Sequence, residues 1–369
     1  MKTLKERYTY HFSNSSLIDG LLMKTVVKFV LNKLPMTLTP NKITVFSGAC
    51  AFSAFALTLQ AERGFYHFWL FIPILYYIYL VSDCLDGAQA RRTGLFSPIG
   101  EFLDHFFDSA VTGYLTGGIL ITYREQNPFY FFVIMVIGYL TQASSFWERY
   151  RTKVMRFGRF SSTETVVFLT AIIFAGCFEP VRRFATTPIY MSFSPLRIFI
   201  LVSAIFAILN SIFAIVRSHG INWKFLLYIV SASVTALLLN ISEYKLGTKV
   251  IMLTLYEMIY NAKLLVAITM NEEDGLPDFI FPMLLPFLYF VPKFATLEKT
   301  ICFIYLGFTL IRIVFNNMFS YINEELKDQL RKTIEHQKEK VQKIKDQLDQ
   351  FPVMGHRSGE QQDPSSPQE

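Results

Sequence analysis

DCLDGAQARRTGLFSPIGEFLDHFFD, residues 83–108, sets four aspartates at fixed intervals: Asp83 and Asp86, then Asp104 and Asp108. On helices, residues three or four apart share a face. Asp83, Asp86, Gly87, Ala90 and Arg91 can therefore line one face, and Gly100, Asp104 and Asp108 another. Each group touches a long apolar run, residues 65–82 on one side and 109–122 on the other. Carboxylates at the ends of membrane helices are costly unless they pair or bind a metal. An all-oxygen donor set suits a hard cation, Mg2+ or Mn2+.

The rest of the chain fits a membrane setting. Of its 369 residues 52% are hydrophobic and only 17% charged, against roughly 25% charged in soluble domains. The apolar residues are bunched, so the expected fold is all-α and polytopic. Ten spans are expected, at about 43–61, 65–83, 100–122, 129–147, 163–179, 196–216, 223–240, 249–270, 277–292 and 300–321. The net charge of +6 suits anionic headgroups and loop orientation rather than nucleic acid. Arg91, Arg92, Arg149, Arg151, Lys153, Arg156 and Arg159 gather on one side, which puts the aspartates on the cytoplasmic face. Cys50, Cys84, Cys177 and Cys302 show neither metal spacing nor a disulfide framework, and Cys84 reads as packing. Residues 1–16 are too polar for a cleavable signal peptide.

Four regions follow. Residues 1–42 form a cytosolic N-terminus, with an amphipathic interfacial helix at 17–34 whose polar side carries Lys24, Lys28 and Lys33. Residues 43–321 are the membrane domain, opened by TPNKIT at 39–44 with Asn41 as a helix cap. Residues 322–350 are a charged cytosolic helix, with Leu330, Ile334, Gln337, Val341, Ile344 and Leu348 at heptad spacing; a coiled coil and a solvated helix both remain open there. Residues 351–369 read as disordered.

The pattern Asp-x-x-Asp-Gly-x-x-Ala-Arg, eight residues, then Gly-x-x-x-Asp-x-x-x-Asp resembles the signature of the CDP-alcohol phosphotransferase family. DGAQARRT, SPIGEFLDH and the loop WERYRTKVMRFGRFSSTE (147–164) resemble its cholinephosphotransferase and ethanolaminephosphotransferase branch. The resemblance implies transfer of phosphocholine or phosphoethanolamine from CDP-choline or CDP-ethanolamine to diacylglycerol, releasing CMP. It also implies that Asp83, Asp86, Asp104 and Asp108 hold two Mg2+ or Mn2+ ions, with Asp108 often assigned as base. The alternative enzyme would use CDP-diacylglycerol with inositol, serine or glycerol phosphate; a cation transporter is the reading from another class. A homodimer in the ER or Golgi membrane, or in a bacterial inner membrane, is the expected setting.

The remaining assignments rest on side-chain chemistry. Gly87 and Ala90 are small enough to admit a nucleotide close to the backbone. Arg91 offers a planar fork to phosphate, Arg92 and Thr93 are weaker candidates, and Gly100 allows close helix packing. Asn41 is a further polar contact for the nucleotide. His105 suits general-base work at neutral pH, and Glu164, beside Thr163 at the mouth of the fifth span, is its expected carboxylate partner.

Overall fold

The computed structural model describes residues 11–14, 17–62, 68–157, 162–290 and 297–348. Strand β1 (His11–Asn14) precedes α1 (Leu17–Leu22), a π-helical turn at Met23–Val27 and α2 (Lys28–Lys33), which run on as one helical segment. Then come α3 (Pro40–Glu62), α4 (Phe71–Thr93), α5 (Pro98–Tyr123) and α6 (Pro128–Thr152). Strand β2 (Val154–Phe157) leads to α7 (Ser162–Gly176) and α8 (Glu179–Thr186). The chain closes with α9 (Pro195–Arg217), α10 (Trp223–Ile241), α11 (Leu246–Met270), α12 (Ile280–Phe290) and α13 (Glu298–Leu348).

Local chemistry sets the helix ends. Ser97, Asn127, Ser194 and Asn222 each accept an N–H of the helix that follows, and Pro98, Pro128 and Pro195 occupy first helical positions, where a missing N–H costs nothing. Gly94 ends α4 at φ 70°, a conformation glycine adopts without penalty.

Each of the ten expected spans coincides with a helix. Seven are long and apolar enough to cross a membrane, or eight if α7 and α8, bent by 104°, count as one. The architecture is that of an all-α polytopic membrane protein. Two expected spans fall short on their own: α5 carries Glu101, Asp104 and Asp108 in its first half, and α12 has only 11 residues. Two four-residue strands add to the helical plan, β1 pairing parallel with β2 in the register His11 to Val154. Asn41 lies inside α3 and does not cap it.

The expected ninth span begins late because residues 271–279 are irregular rather than helical. This segment runs back along α11. Lys263 Nζ donates to Leu276 O at 2.9 Å and Tyr256 OH to Asp278 O at 2.8 Å. The Asp278 carboxylate accepts from Ile280 N, Phe281 N and Tyr305 OH at 2.8, 3.2 and 2.7 Å. Protein groups thus satisfy the irregular backbone between α11 and α12.

The interior is centred on α5. Cβ atoms added at Gly113 and Gly117 would overlap Thr254 and Val250, so glycine lets α5 and α11 pack closely. On α13, which extends for 51 residues, the seam positions Leu330, Ile334, Gln337 and Val341 are exposed. The tail 351–369 lies outside the described residues.

Candidate active site

Two helices position the aspartates. Asp83 and Asp86 stand in the last half of α4, Asp104 and Asp108 in the first half of α5, joined by a short turn at Gly94. Carboxylate oxygens of Asp83, Asp104 and Asp108 all lie within 4.8 Å of one another, and all three side chains are half-buried. Three anionic oxygen donors at such separation fit a hard divalent cation, since oxygens so close repel without one. Asp86 is a charged neighbour of Asp83 and Asp104. It is buried, and Thr44 Oγ1 of α3 donates to its Oδ2 at 2.5 Å.

Tyr79, one turn before Asp83, donates to Asp108 Oδ1 at 2.7 Å. His105 is buried, with Nδ1 at 3.4 Å from Asp108 Oδ2 and 3.8 Å from Asp104 Oδ2, and its ring centroid lies 5.7 Å from that of Phe146. Its Nε2 is buried without a hydrogen-bond partner. The expected pairing of His105 with Glu164 is therefore absent. Glu164 instead accepts the Ile18 N–H at 3.1 Å, a carboxylate from α7 placed at the N-terminal end of α1, where the helix dipole favours negative charge.

The nucleotide-side residues fall around this centre. Gly87 and Ala90 are half-buried and Arg91 is exposed. A Cβ added at Gly87 would stand 3.4 Å from Arg91 Nη1, so the guanidinium lies across an open glycine surface. At Gly100 an added Cβ would come within 2.8 Å of Asn41 Oδ1. Gly100 thus admits the Asn41 amide to the start of α5, and this contact joins α3 to the site.

The helical segment 17–33 is fastened to the same stretch. Cys84 Sγ donates to Asp19 Oδ1 at 3.2 Å, so Cys84 does more than pack. Arg92 Nη1 donates to Leu31 O and Leu34 O at 2.5 and 3.1 Å, and Gln89 Nε2 to Pro35 O and Leu38 O at 3.1 and 3.0 Å. Arg92 is thus a helix C-terminal cation rather than only an orienting charge. Thr93 turns back to Gln89 O at 2.8 Å.

Several basic residues expected in a loop are in ion pairs. Arg149 lies buried on α6 against Glu101 of α5. Arg156 and Arg217 both grip Glu148, at 2.9 and 2.7 Å. Sequence reasoning missed Glu101, although its position between Gly100 and Asp104 singles it out. Removing one partner of a buried pair leaves an uncompensated charge, a cost of about 3–5 kcal/mol. Arg149→Met is therefore expected to lower the thermal midpoint in detergent sharply. Adding Glu101→Gln should restore most of the loss; a double variant as unstable as the single would mean that Arg149 acts through its other contacts.

Comparison with known proteins bears on the same segment. Residues 37–196 match the family model described as CDP-alcohol phosphatidyltransferase. Cholinephosphotransferase 1 of Gallus gallus is 31% identical over 182 residues, covering 47% of this chain and 53% of the relative. The Rattus norvegicus protein of that name is 31% identical over 179 residues, covering 47% and 45%, and that of Homo sapiens 28% over 179 residues, covering 47% and 44%. The chain spans about half the length of the curated relatives it matches.

Proposed function

From a chain that carries a CDP-alcohol phosphatidyltransferase domain at residues 37–196, we propose a membrane phosphotransferase that moves phosphocholine or phosphoethanolamine from its CDP ester to the hydroxyl of diacylglycerol, releasing CMP. The observation that carries this reading is the convergence of Asp83, Asp104 and Asp108 beside His105. The relatives named cholinephosphotransferase favour choline as the alcohol.

Asp83, Asp104 and Asp108 would hold the metal, with the Asp86 carboxylate, bonded by Thr44, as a further charged neighbour. A divalent cation bound there supplies neutralisation of diphosphate charge and of the charge that builds on the leaving oxygen. Arg91 adds a planar donor fork to the same phosphates. Gly87 and Ala90 leave room for the nucleotide against α4, and Asn41 borders that space beside Gly100. The acceptor hydroxyl gives its proton to His105 Nδ1, the ring nitrogen on the carboxylate side; Asp108 and Asp104 then face the imidazolium and stabilise its charge. Tyr79 fixes the Asp108 carboxylate by its hydrogen bond. Asp108 is the alternative base.

Arg91 and Arg92 at the end of α4 support a site that opens to the cytoplasm. The exposed seam at Leu330, Ile334 and Val341 supports self-association through α13 in a homodimer. The test is direct. Membranes containing the protein, given diacylglycerol, Mg2+ and labelled CDP-choline or CDP-ethanolamine, should yield the labelled phospholipid. Product only from CDP-diacylglycerol with a small polar alcohol would overturn the reading.

A further inference from the structure

The irregular segment 271–279 lies between two helices that each present a tyrosine and a cation. On α11 these are Tyr256 and Lys263; on α13 they are Tyr305 and Arg312. In both helices the spacing is seven residues, two turns or about 10 Å, so each cation shares a face with its tyrosine. The two tyrosines grip opposite ends of one residue, Tyr256 donating to Asp278 O and Tyr305 to Asp278 Oδ2. Lys263 has Arg312 and Asp278 as charged neighbours, and Tyr305 has the same two.

The charges do not balance. The Asp278 carboxylate already accepts two backbone N–H groups and one hydroxyl. Lys263 Nζ donates to Leu276 O, and an ammonium has two further donors. Among the described residues neither Lys263 nor Arg312 is in ion-pair contact with a carboxylate. Both sit in helices long and apolar enough to cross a membrane, where an ionised side chain calls for an opposite charge. Arg312 is exposed, next to Ile304, Phe308, Ile311 and Phe315, all more than half exposed. That surface faces lipid. The anion a bilayer brings to such a surface is phosphate, which a guanidinium binds through its fork and an ammonium as a point charge.

We propose that Lys263 and Arg312, carried beside the irregular segment 271–279, form a binding site for the phosphate group of a bilayer phospholipid. The site is separate from the aspartates of α4 and α5 and does not depend on the reaction assigned to them. The stem of Lys263 packs over Gly275, where an added Cβ would meet it at 3.3 Å. The ammonium is thereby held near Leu276 O, with its free donors left for the phosphate.

The experiment uses the full chain in detergent micelles, with bound lipid followed by native mass spectrometry. Phosphatidylglycerol is titrated in, with diacylglycerol of the same acyl chains and inorganic phosphate as separate arms. Lys263→Met with Arg312→Met should weaken phosphatidylglycerol binding at least about tenfold, while diacylglycerol retention stays the same. Lys263→Arg with Arg312→Lys keeps both charges and should bind close to the original level. Inorganic phosphate at millimolar concentration should not displace the lipid. Helix content by circular dichroism checks folding; if the neutral pair misfolds, Lys263→Gln and Arg312→Gln, each expected to weaken binding several-fold, decide instead. Unchanged lipid binding in the neutral variants overturns the site. So does an equal loss in the charge-retaining variant, which would mark a packing role, or displacement by inorganic phosphate, which would mark a site for a free anion.

Discussion

Replacing Asp83, Asp104 or Asp108 by Asn is expected to lower phosphotransfer by at least about a thousandfold, roughly 4 kcal/mol of transition-state stabilisation. Asparagine keeps the volume and one acceptor oxygen but removes the charge that a hard cation needs. The three oxygens lie within 4.8 Å of one another, so loss of any one opens the site. Asp86→Asn separates two ideas. An asparagine there still offers an acceptor to Thr44 Oγ1, so a collapse of turnover reports the lost charge, whereas normal turnover confines Asp86 to its bond with α3. Chelation by EDTA should stop the reaction, and Mg2+ or Mn2+ should restore it. Full turnover in chelator removes the metal from the account. Retained helix content and elution volume in each variant separate lost chemistry from lost folding.

His105→Ala is expected to lower the maximal rate by about a hundredfold or more, with little change in affinity for the CDP-alcohol or for Mg2+. A group that takes the proton acts in the transition state and not in ground-state binding, which produces that division. If the variant instead binds metal poorly yet reaches a near-normal rate at saturating Mg2+, His105 orients Asp108, 3.4 Å away, and the base is Asp108. Glu164→Gln should cost less, because its carboxylate serves the Ile18 N–H. Since Glu164 and His105 do not touch, the two effects should multiply in the double variant. A double variant no slower than His105→Ala would show that they act as one unit after all.

The carboxylates were legible because spacing alone puts them on helix faces, and the apolar runs marked where the helices lie. Tyr79 was not, since a tyrosine in an apolar run looks like any other until its hydroxyl is seen on Asp108. Arg149 and Arg156 read as loop charges that orient the chain, yet their partners, Glu101 and Glu148, lie on packed helices. Pairing across distant segments leaves no trace in local pattern. The same holds for Glu164: its place at the mouth of a helix was correct, but its partner came from residue 18 rather than 105. Residues 271–276 fell between two expected spans and 277–279 at the start of the ninth, and an irregular stretch held by Lys263, Tyr256 and Tyr305 has no periodicity to read.

The bonds that Gln89 and Arg92 make to Pro35, Leu38, Leu31 and Leu34 bear on where this protein can be cut. A fragment covering only residues 37–196 would contain every aspartate of the motif. It would lose three of those four carbonyls, together with Asp19, which takes the Cys84 thiol, and the Ile18 N–H that occupies Glu164. It would also lack α11, leaving the glycine face of α5 at Gly113 and Gly117 without Thr254 and Val250 to fill it. The recurring sequence unit and the autonomous folding unit therefore differ in extent. A piece that keeps these contacts starts no later than Leu17 and includes α11 to Met270.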